Sequence, residues 1–169
     1  MSTGKRQVNE NAELKKLLTA CAAGDVGAAR DILEHSAPEL LNMGFKGKKQ
    51  ATLGVKICAF GSTALIMGCK SGNVELVRLL LDRGANVNAC DCRGWTSLMH
   101  AAVSKHEAVC VLLAQRQANL MLTSQNSFTA VMYYSMHDSA ERKRILSEWQ
   151  AAAAATAAAG AAAAAGAAP

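Results

Sequence analysis

The chain has 169 residues, of which 18% are charged and 4% aromatic. This length can bury a hydrophobic core without disulfide cross-links, and the scarcity of aromatic residues favours a core of Leu, Val, Ile, Ala and Met. The formal charge is +5. Four lysines between Asn42 and Ser62, with no acid among them, account for almost all of it: Lys46, Lys48, Lys49 and Lys56. The uncharged stretch 151–169 is mostly Ala, a weak driver of membrane insertion, so we expect no membrane span.

Six cysteines do not by themselves indicate disulfide bonds here. The first ten residues contain no apolar segment of signal-peptide length, so secretion is not expected. Cys21, Cys69 and Cys110 lie in apolar patterns with helical spacing, where a free cysteine behaves as a small hydrophobic residue. The pattern predicts reduced thiols and a cytoplasmic location, with the nucleus as an additional location.

The sequence repeats with a period of 33 residues. Thr63, Thr96 and Thr129 are each 33 positions apart, and each is followed by a similar apolar segment. The pairs Leu79-Leu80 and Leu112-Leu113 recur at the same spacing. A match that continues through whole units predicts a stack of similar structural units.

The local chemistry of one unit predicts its shape. Thr63 can accept hydrogen bonds from the first turn of a helix, and Gly72 can take the left-handed conformation that ends it. A second apolar face begins at Val74 with helical spacing, and Gly84 ends that helix. Each unit is therefore predicted as helix, tight turn, helix and extended loop, with helix pairs near 10–34, 63–83, 96–115 and 129–148.

These segments resemble the repeats of the ankyrin family. Thr63-Ala-Leu-Ile-Met-Gly-Cys69, Gly72-Asn73 and Leu79 to Asn88 carry the resemblance in one unit, and Asp91 to Ala102 in the next. The resemblance covers roughly residues 10–150. It implies an all-α ankyrin-repeat solenoid of stacked helix-turn-helix units, in which β-hairpin fingers connect one unit to the next.

Four units are expected, because the outer two depart from the pattern as solvent-facing caps do. Fifteen extra residues separate the first and second units, and three glycines lie among residues 43–57, so we expect an enlarged first β-hairpin finger. The predicted divisions are an N-terminal tail (1–9), a cap repeat (10–41), an extended basic finger (42–59), two regular repeats (60–91 and 92–124), a cap repeat (125–150) and an Ala-rich low-complexity tail (151–169). That tail is expected to be disordered or a frayed helix.

The sequence offers little for catalysis or metal binding. Cys90-x-Cys92 with a single nearby His lacks the spacing of a zinc site. The pattern contains no glycine-rich phosphate loop and no suggestively spaced pair of carboxylates. We therefore predict a non-enzymatic protein with no metal, no cofactor and no small-molecule substrate. His106 is expected to hydrogen-bond locally to the backbone turn.

In the ankyrin family, partners generally contact the finger tips and the exposed face of the first helices. Carried over position by position, the resemblance implies a partner-binding surface at Ser62, Lys70, Ser71, Cys92, Arg93, Trp95, Val103, Ser104, Gln125, Asn126, Phe128, Met136 and His137. Trp95 and Phe128, 33 residues apart, are expected to be exposed and to stack side by side as an anchor beside Arg93. The alternative is that Trp95 folds onto the neighbouring finger and only stiffens the stack.

The lysines of the first finger, Lys46, Lys48 and Lys49, either form a solvated loop or attract an acidic partner. Three functions remain open: a scaffold or adaptor that binds another protein, a regulatory or inhibitory module of an enzyme or transcription factor complex, and a binder of anionic surfaces. Nucleic acid is the least favoured partner, since Phe45 alone among aromatic residues accompanies these lysines. The protein alone is expected to be a monomer.

Overall fold

The computed structural model describes residues 3–36, 38–44, 61–135 and 139–165. Within these ranges the chain forms eight α-helices and one short 3-10 helix. They are α1 (Thr3–Ala23), α2 (Val26–His35), the 3-10 helix (Pro38–Asn42), α3 (Ala64–Ser71), α4 (Val74–Asp82), α5 (Ser97–Val103), α6 (Glu107–Gln115), α7 (Ala130–Tyr134) and α8 (Ser139–Ala165). The fingers that precede α5 and α7 are closed by single antiparallel bridges, Cys90 to Thr96 and Thr123 to Thr129.

The helices form four pairs that stack into a solenoid. The first helices of the pairs, α1, α3, α5 and α7, pack in a row, and α2, α4, α6 and α8 form a second row beside it. The prediction of an all-α repeat solenoid is confirmed. Because each unit packs on its sequence neighbours, the hydrophobic core runs through the whole stack.

The threonines of the repeat cap the first helices, as their spacing predicts. The hydroxyl oxygens of Thr63, Thr96 and Thr129 each accept a hydrogen bond from the backbone N–H three residues ahead, at 3.3–3.4 Å. The backbone of each threonine is in the extended conformation, so the chain enters the helix in the same direction in all three units.

The tight turn between the helices of one unit contacts the same turn in the next. Gly72 is left-handed, with φ of 75°, and a Cβ placed there would lie 2.6 Å from the ring of His106. His106 Nε2 lies 3.2 Å from the carbonyl oxygen of Lys70, so the bond to a backbone turn is made to the preceding unit and is not local as we expected. In the other direction, Asn73 donates to the carbonyl oxygen of Gly24 at 2.9 Å.

The core consists mainly of aliphatic side chains on the inward faces of both rows. Leu65, Leu80, Leu98 and Leu113 are buried as predicted. The predicted burial of Leu146 is wrong, since its side chain is only partly buried; among the described residues, no further helix pair packs on α7 and α8. Cys21, Cys69 and Cys110 are also buried and free, which confirms their interpretation as hydrophobic residues.

Both outer helices are longer than the sequence indicates. Helix α1 begins at Thr3 and so includes most of the predicted N-terminal tail. Helix α8 continues to Ala165, well into the Ala-rich stretch, where we expected disorder or fraying; Ala has the highest intrinsic helix propensity. Trp149 anchors this helix: it is fully buried, and its ring meets that of Tyr134 edge-on at 5.8 Å.

The enlarged first finger (42–59) lies mostly outside the described residues, and so do Lys46, Lys48 and Lys49. Its predicted hairpin therefore stays a prediction.

Among the helices of the described ranges, none combines the length and hydropathy needed to cross a membrane.

Candidate partner-binding site

The carboxylate of Asp91 organises the third-unit finger. Its Oδ1 accepts from the backbone N–H groups of Arg93 and Trp95 at 2.9 and 3.0 Å. Its Oδ2 accepts from Nη2 of Arg93 at 3.2 Å and from Nε2 of His100 at 3.1 Å. Four donors on one buried carboxylate hold the finger backbone, the arginine side chain and helix α5 in a single arrangement.

The electrostatics of this group follow from burial and these bonds. Burial opposes ionisation of Asp91, but the hydrogen bonds from Trp95, Arg93 and His100 outweigh it, and the carboxyl pKa is lowered. Burial, together with the positive charge of Lys70, lowers the pKa of His100 to about 4 despite the bond to Asp91. His100 is therefore neutral near pH 7, and its Nε2 carries the proton that it donates to Asp91.

The same arrangement recurs one unit later with different residues. Ser124 and Tyr133 stand 33 positions after Asp91 and His100, and the Ser124 hydroxyl lies 2.9 Å from the Tyr133 hydroxyl. The Gln125 backbone N–H donates to the carbonyl oxygen of Arg93 at 3.2 Å. The side-chain amide of Gln125 donates to the backbone carbonyl oxygen of Cys92 at 3.0 Å. The third and fourth fingers are therefore joined through Gln125.

A row of aromatic rings crosses the bases of these two fingers. Trp95 lies with its ring centroid 5.2 Å from that of His100 and 4.4 Å from that of Tyr133. Phe128 meets Tyr133 at 5.6 Å. The Arg93 guanidinium lies 5.0 Å from the centroid of the Trp95 ring. The row therefore ends at Phe128, which is 45% exposed.

The expected pairing of Trp95 and Phe128 needs correction. Both rings contact Tyr133, which joins them, and Trp95 is only partly exposed. The cause is Tyr133 in α7, whose ring contacts those of both Trp95 and Phe128. The alternative interpretation of Trp95, as a residue that packs on the neighbouring unit, describes these contacts better.

The structure places the other predicted residues in different surroundings. The predicted exposure of Ser62 is wrong, because its side chain is fully buried immediately before the Thr63 cap. Lys70 is partly buried, while Arg93, Gln125 and Asn126 are exposed on the fingers. Val103, near the end of α5, is 46% exposed. His137 lies outside the described residues.

Sequence reasoning missed the part played by His100 and Tyr133. His100 stands where the ankyrin pattern has a Leu-like residue, and its alignment with Tyr133 at the 33-residue offset is visible in the sequence. Two polar aromatic residues at equivalent positions are the signal that could have indicated the ring row.

Among the described residues, no three or more His, Cys, Asp or Glu side chains are grouped so that they could hold a metal ion. Burial raises the pKa of Cys21 and Cys110 to about 12, so these thiols stay protonated. Cys90 and Cys92 are exposed and free.

A sequence model of ankyrin repeats in three copies matches residues 17–124, a range that begins near the end of α1 and contains α2 to α6. The chain belongs to the ankyrin-repeat family. Ankyrin repeats are generally modules that bind other proteins.

Several curated proteins are similar to the chain over part of their length. The Ankyrin repeat, SAM and basic leucine zipper domain-containing protein 1 of Notamacropus eugenii is 35% identical over 132 residues, 75% of this chain and 24% of that protein. The probable E3 ubiquitin-protein ligase XBOS33 of Oryza sativa subsp. japonica is 28% identical over 130 residues, 76% of this chain and 22% of that protein. The RelA-associated inhibitor of Mus musculus is 39% identical over 64 residues, 38% of this chain and 8% of that protein. The chain thus spans about a quarter or less of the length of these relatives.

Proposed function

We propose that this chain is a non-enzymatic scaffold or adaptor module that binds a partner protein through its finger tips and first helices. The observation that carries the proposal is the exposure of Phe128 and Val103 on this side of units three and four, at 45% and 46%. Phe128 also contacts the ring row through Tyr133, and exposed apolar side chains beside fixed aromatic rings are typical anchors of a protein interface.

The support beneath these side chains is preorganised. Asp91 holds the third finger, Gln125 ties the fourth finger to it, and the ring of Tyr133 contacts that of Trp95. Because these contacts exist before a partner arrives, binding loses little conformational entropy in the module. The affinity then depends on the few exposed side chains that the fingers and first helices present.

The test is capture of partners from the native source by the immobilised full chain. The double variant Val103→Ser/Phe128→Ser should lose the specifically captured proteins. Met121→Ser is the matched control, because Met121 is also an exposed apolar residue, at 58%, but lies in the loop after α6. If Met121→Ser loses the captured proteins and the double variant keeps them, the proposal is contradicted. The binding site would then lie at the C-terminal end of the stack.

An inhibitory module is the second candidate function. The similarity of a 64-residue segment to the RelA-associated inhibitor favours it. An inhibitor would lower the activity of the captured partner in proportion to its occupancy, whereas an adaptor would leave that activity unchanged. Titration of the purified partner with the full chain separates the two functions.

Lys46, Lys48 and Lys49 are proposed to accelerate the approach of an acidic partner. Their replacement by Ser should slow association at low salt and have little effect at high salt, where charges are screened.

We also propose a location in the cytoplasm or nucleus, which the free thiols of the described residues support.

A further inference from the structure

An apolar groove lies between the last two helices of the stack, and we call it the end groove. Its volume is about 260 Å³. The loop after α6, helix α7 and helix α8 each contribute to its lining. Apart from Thr129, the lining residues are Leu120, Met121, Val131, Met132, Lys143 and Leu146.

The third unit buries the equivalents of these residues. Met132 and Leu146 stand 33 positions after Met99 and Leu113, which are both fully buried. Met132 is instead 38% exposed, and Leu146 is only partly buried. Among the described residues, no further helix pair packs on α7 and α8. The end groove therefore has the apolar composition of a surface on which another helix packs.

Lys143 distinguishes the end groove from the buried surfaces of the inner units. Its equivalent one unit earlier is Cys110, which is fully buried, whereas Lys143 is exposed. A helix that covers the groove takes water away from the ammonium group of Lys143. This loss of hydration costs free energy unless a carboxylate binds the ammonium group.

The described acids near the groove do not supply that carboxylate. The two acids of α8 have other partners: Glu141 accepts a hydrogen bond from Ser135 at 3.0 Å, and Glu148 pairs with Arg144 at 3.8 Å. Residues 117–135, which supply the rest of the lining, contain no charged residue. None of the ion pairs between described residues includes the lysine of the groove. The groove thus combines an apolar surface with one positive charge that a partner can neutralise.

A second copy of this chain does not complement the end groove. The groove between α1 and α2, at the other end of the stack, is lined by Lys15 and Lys16. The acid in that lining, Asp25, already accepts the N-cap hydrogen bond of α2 from the backbone N–H of Ala28. Head-to-tail contact would bring these lysines close to Lys143, and contact between two end grooves would bring the two copies of Lys143 together. Charge complementarity therefore favours a different, acidic partner.

The positions of the lining residues also indicate the spacing of the partner's side chains. Lys143 and Leu146 are three residues apart on α8, so they lie on the same face of the helix. A helix packed alongside presents a matching pair when its acid and its apolar residue are three or four positions apart. The flexible thioether side chains of Met121 and Met132 adapt to aliphatic or aromatic side chains.

We propose that the end groove binds an acidic amphipathic helix of another protein. A carboxylate of that helix pairs with Lys143, and an apolar side chain three or four residues away packs on Met132 and Leu146. Val103 and Phe128 do not line the groove, so this site is separate from the proposed finger-side surface and goes beyond the proposed function.

The test is selection from a displayed library of helical peptides about 20 residues long, each an Ala-rich helix with one randomised face. The full chain is the target, in a buffer of physiological salt. Selected peptides should be enriched in Asp or Glu three or four positions from Leu, Met or Phe. Lys143→Glu should weaken their binding at least about tenfold, because it replaces a charge-assisted hydrogen bond with repulsion. Selection against the Lys143→Glu variant should yield Lys or Arg in place of the acid.

Two control variants accompany this experiment. Arg78→Glu makes the same change of charge at an exposed position of α4 that does not line the groove, and it should leave peptide affinity unchanged. Val103→Ser/Phe128→Ser should also leave it unchanged, whereas Met132→Ser should weaken binding. Thermal melting checks the folding of all variants. If Met132→Ser proves unstable, the charge reversal at the exposed Lys143 still decides the outcome.

Several results would overturn this inference. They are selected peptides without acid enrichment, equal weakening by Arg78→Glu and Lys143→Glu, and failure to select any peptide that is sensitive to Lys143→Glu. Self-association of the full chain in sedimentation experiments, abolished by Met132→Ser, would make a second copy the occupant and would also overturn it. Peptides that lose binding only in Val103→Ser/Phe128→Ser would overturn this inference but leave the proposed function in place.

Discussion

His100 donates a hydrogen bond to the buried carboxylate of Asp91 across 3.1 Å, and this bond joins helix α5 to the finger that precedes it. One unit later the same two positions hold Tyr133 and Ser124, also in hydrogen-bond contact. A polar pair thus connects each finger to its helix, but only the first of the two pairs contains groups that titrate in acid.

Acid should destabilise the protein through His100. The unfolded chain takes up a proton there near pH 6.5, whereas the folded protein does so only near pH 4. Between these values the unfolded state binds more protons, so stability falls as pH falls, by about 3 kcal/mol at about 1.4 kcal/mol per pKa unit. Denaturant unfolding at pH 7, 6, 5 and 4 measures this loss.

The control for this prediction is His100→Gln, whose amide can still donate to Asp91 but does not titrate. Its stability should change little between pH 6.5 and 4, and then fall at lower pH as Asp91, whose pKa is lowered in the fold, becomes protonated. An equal loss in both proteins between pH 6.5 and 4 would rule out His100 as the cause.

Trp95→Ala should lower stability as well as affinity. The substitution removes ring contacts with His100 and Tyr133 and the contact with Arg93, each typically contributing about 0.5–1.5 kcal/mol. We expect a loss of about 1–3 kcal/mol in the free energy of unfolding. Phe128→Ala, which removes one ring contact of an exposed residue, should cost less than about 1 kcal/mol. Equal stability of the two variants would contradict the packing role of Trp95.

Ser127→Gly should stabilise the protein. Ser127 has φ of 61° in the last finger, where the equivalent residues of the preceding fingers are Gly61 and Gly94. The substitution relieves the strain of the left-handed backbone, and the greater freedom of Gly in the unfolded chain offsets part of this gain. The free energy of unfolding should rise by about 0.5–1 kcal/mol. Thermal melting of the variant measures the gain.

The reciprocal substitution Gly94→Ser tests the same argument from the other direction. Gly94 has φ of 71°, and a Cβ there would lie 3.4 Å from the backbone nitrogen of Gln125 in the next finger. Gly94→Ser should therefore lower the free energy of unfolding by more than Ser127→Gly raises it. If Gly94→Ser leaves the free energy of unfolding unchanged, the backbone of the two fingers must shift to accommodate the added side chain.

Leu113→Ala should cost about 2–5 kcal/mol, the usual range for truncation of a buried Leu. Leu146 occupies the equivalent position in the last unit but is only partly buried, so Leu146→Ala should cost less than half as much. Urea unfolding of both variants gives the comparison. If the two variants lose a similar free energy of unfolding, the side chain of Leu146 must be buried in solution.

Much of the fold could be predicted from the sequence because its causes are local and repeat. The threonine caps, the left-handed Gly72 and the leucines at helical spacing each depend on neighbours a few residues away, so the period of 33 predicts the last three helix pairs. The resemblance to the ankyrin family, carried over position by position, indicated the exposed positions Arg93, Gln125 and Phe128.

Only the tertiary structure decided how the units meet. Whether Trp95 is exposed depends on the ring of Tyr133, 38 positions later, and the burial of Leu146 depends on whether a further unit follows. The neutral state of His100 likewise depends on its burial and on the charge of Lys70 from the preceding unit, which together outweigh the bond to Asp91. Periodicity determines which positions are equivalent, but the side chains that surround each position differ from unit to unit, and contacts between units set burial and charge.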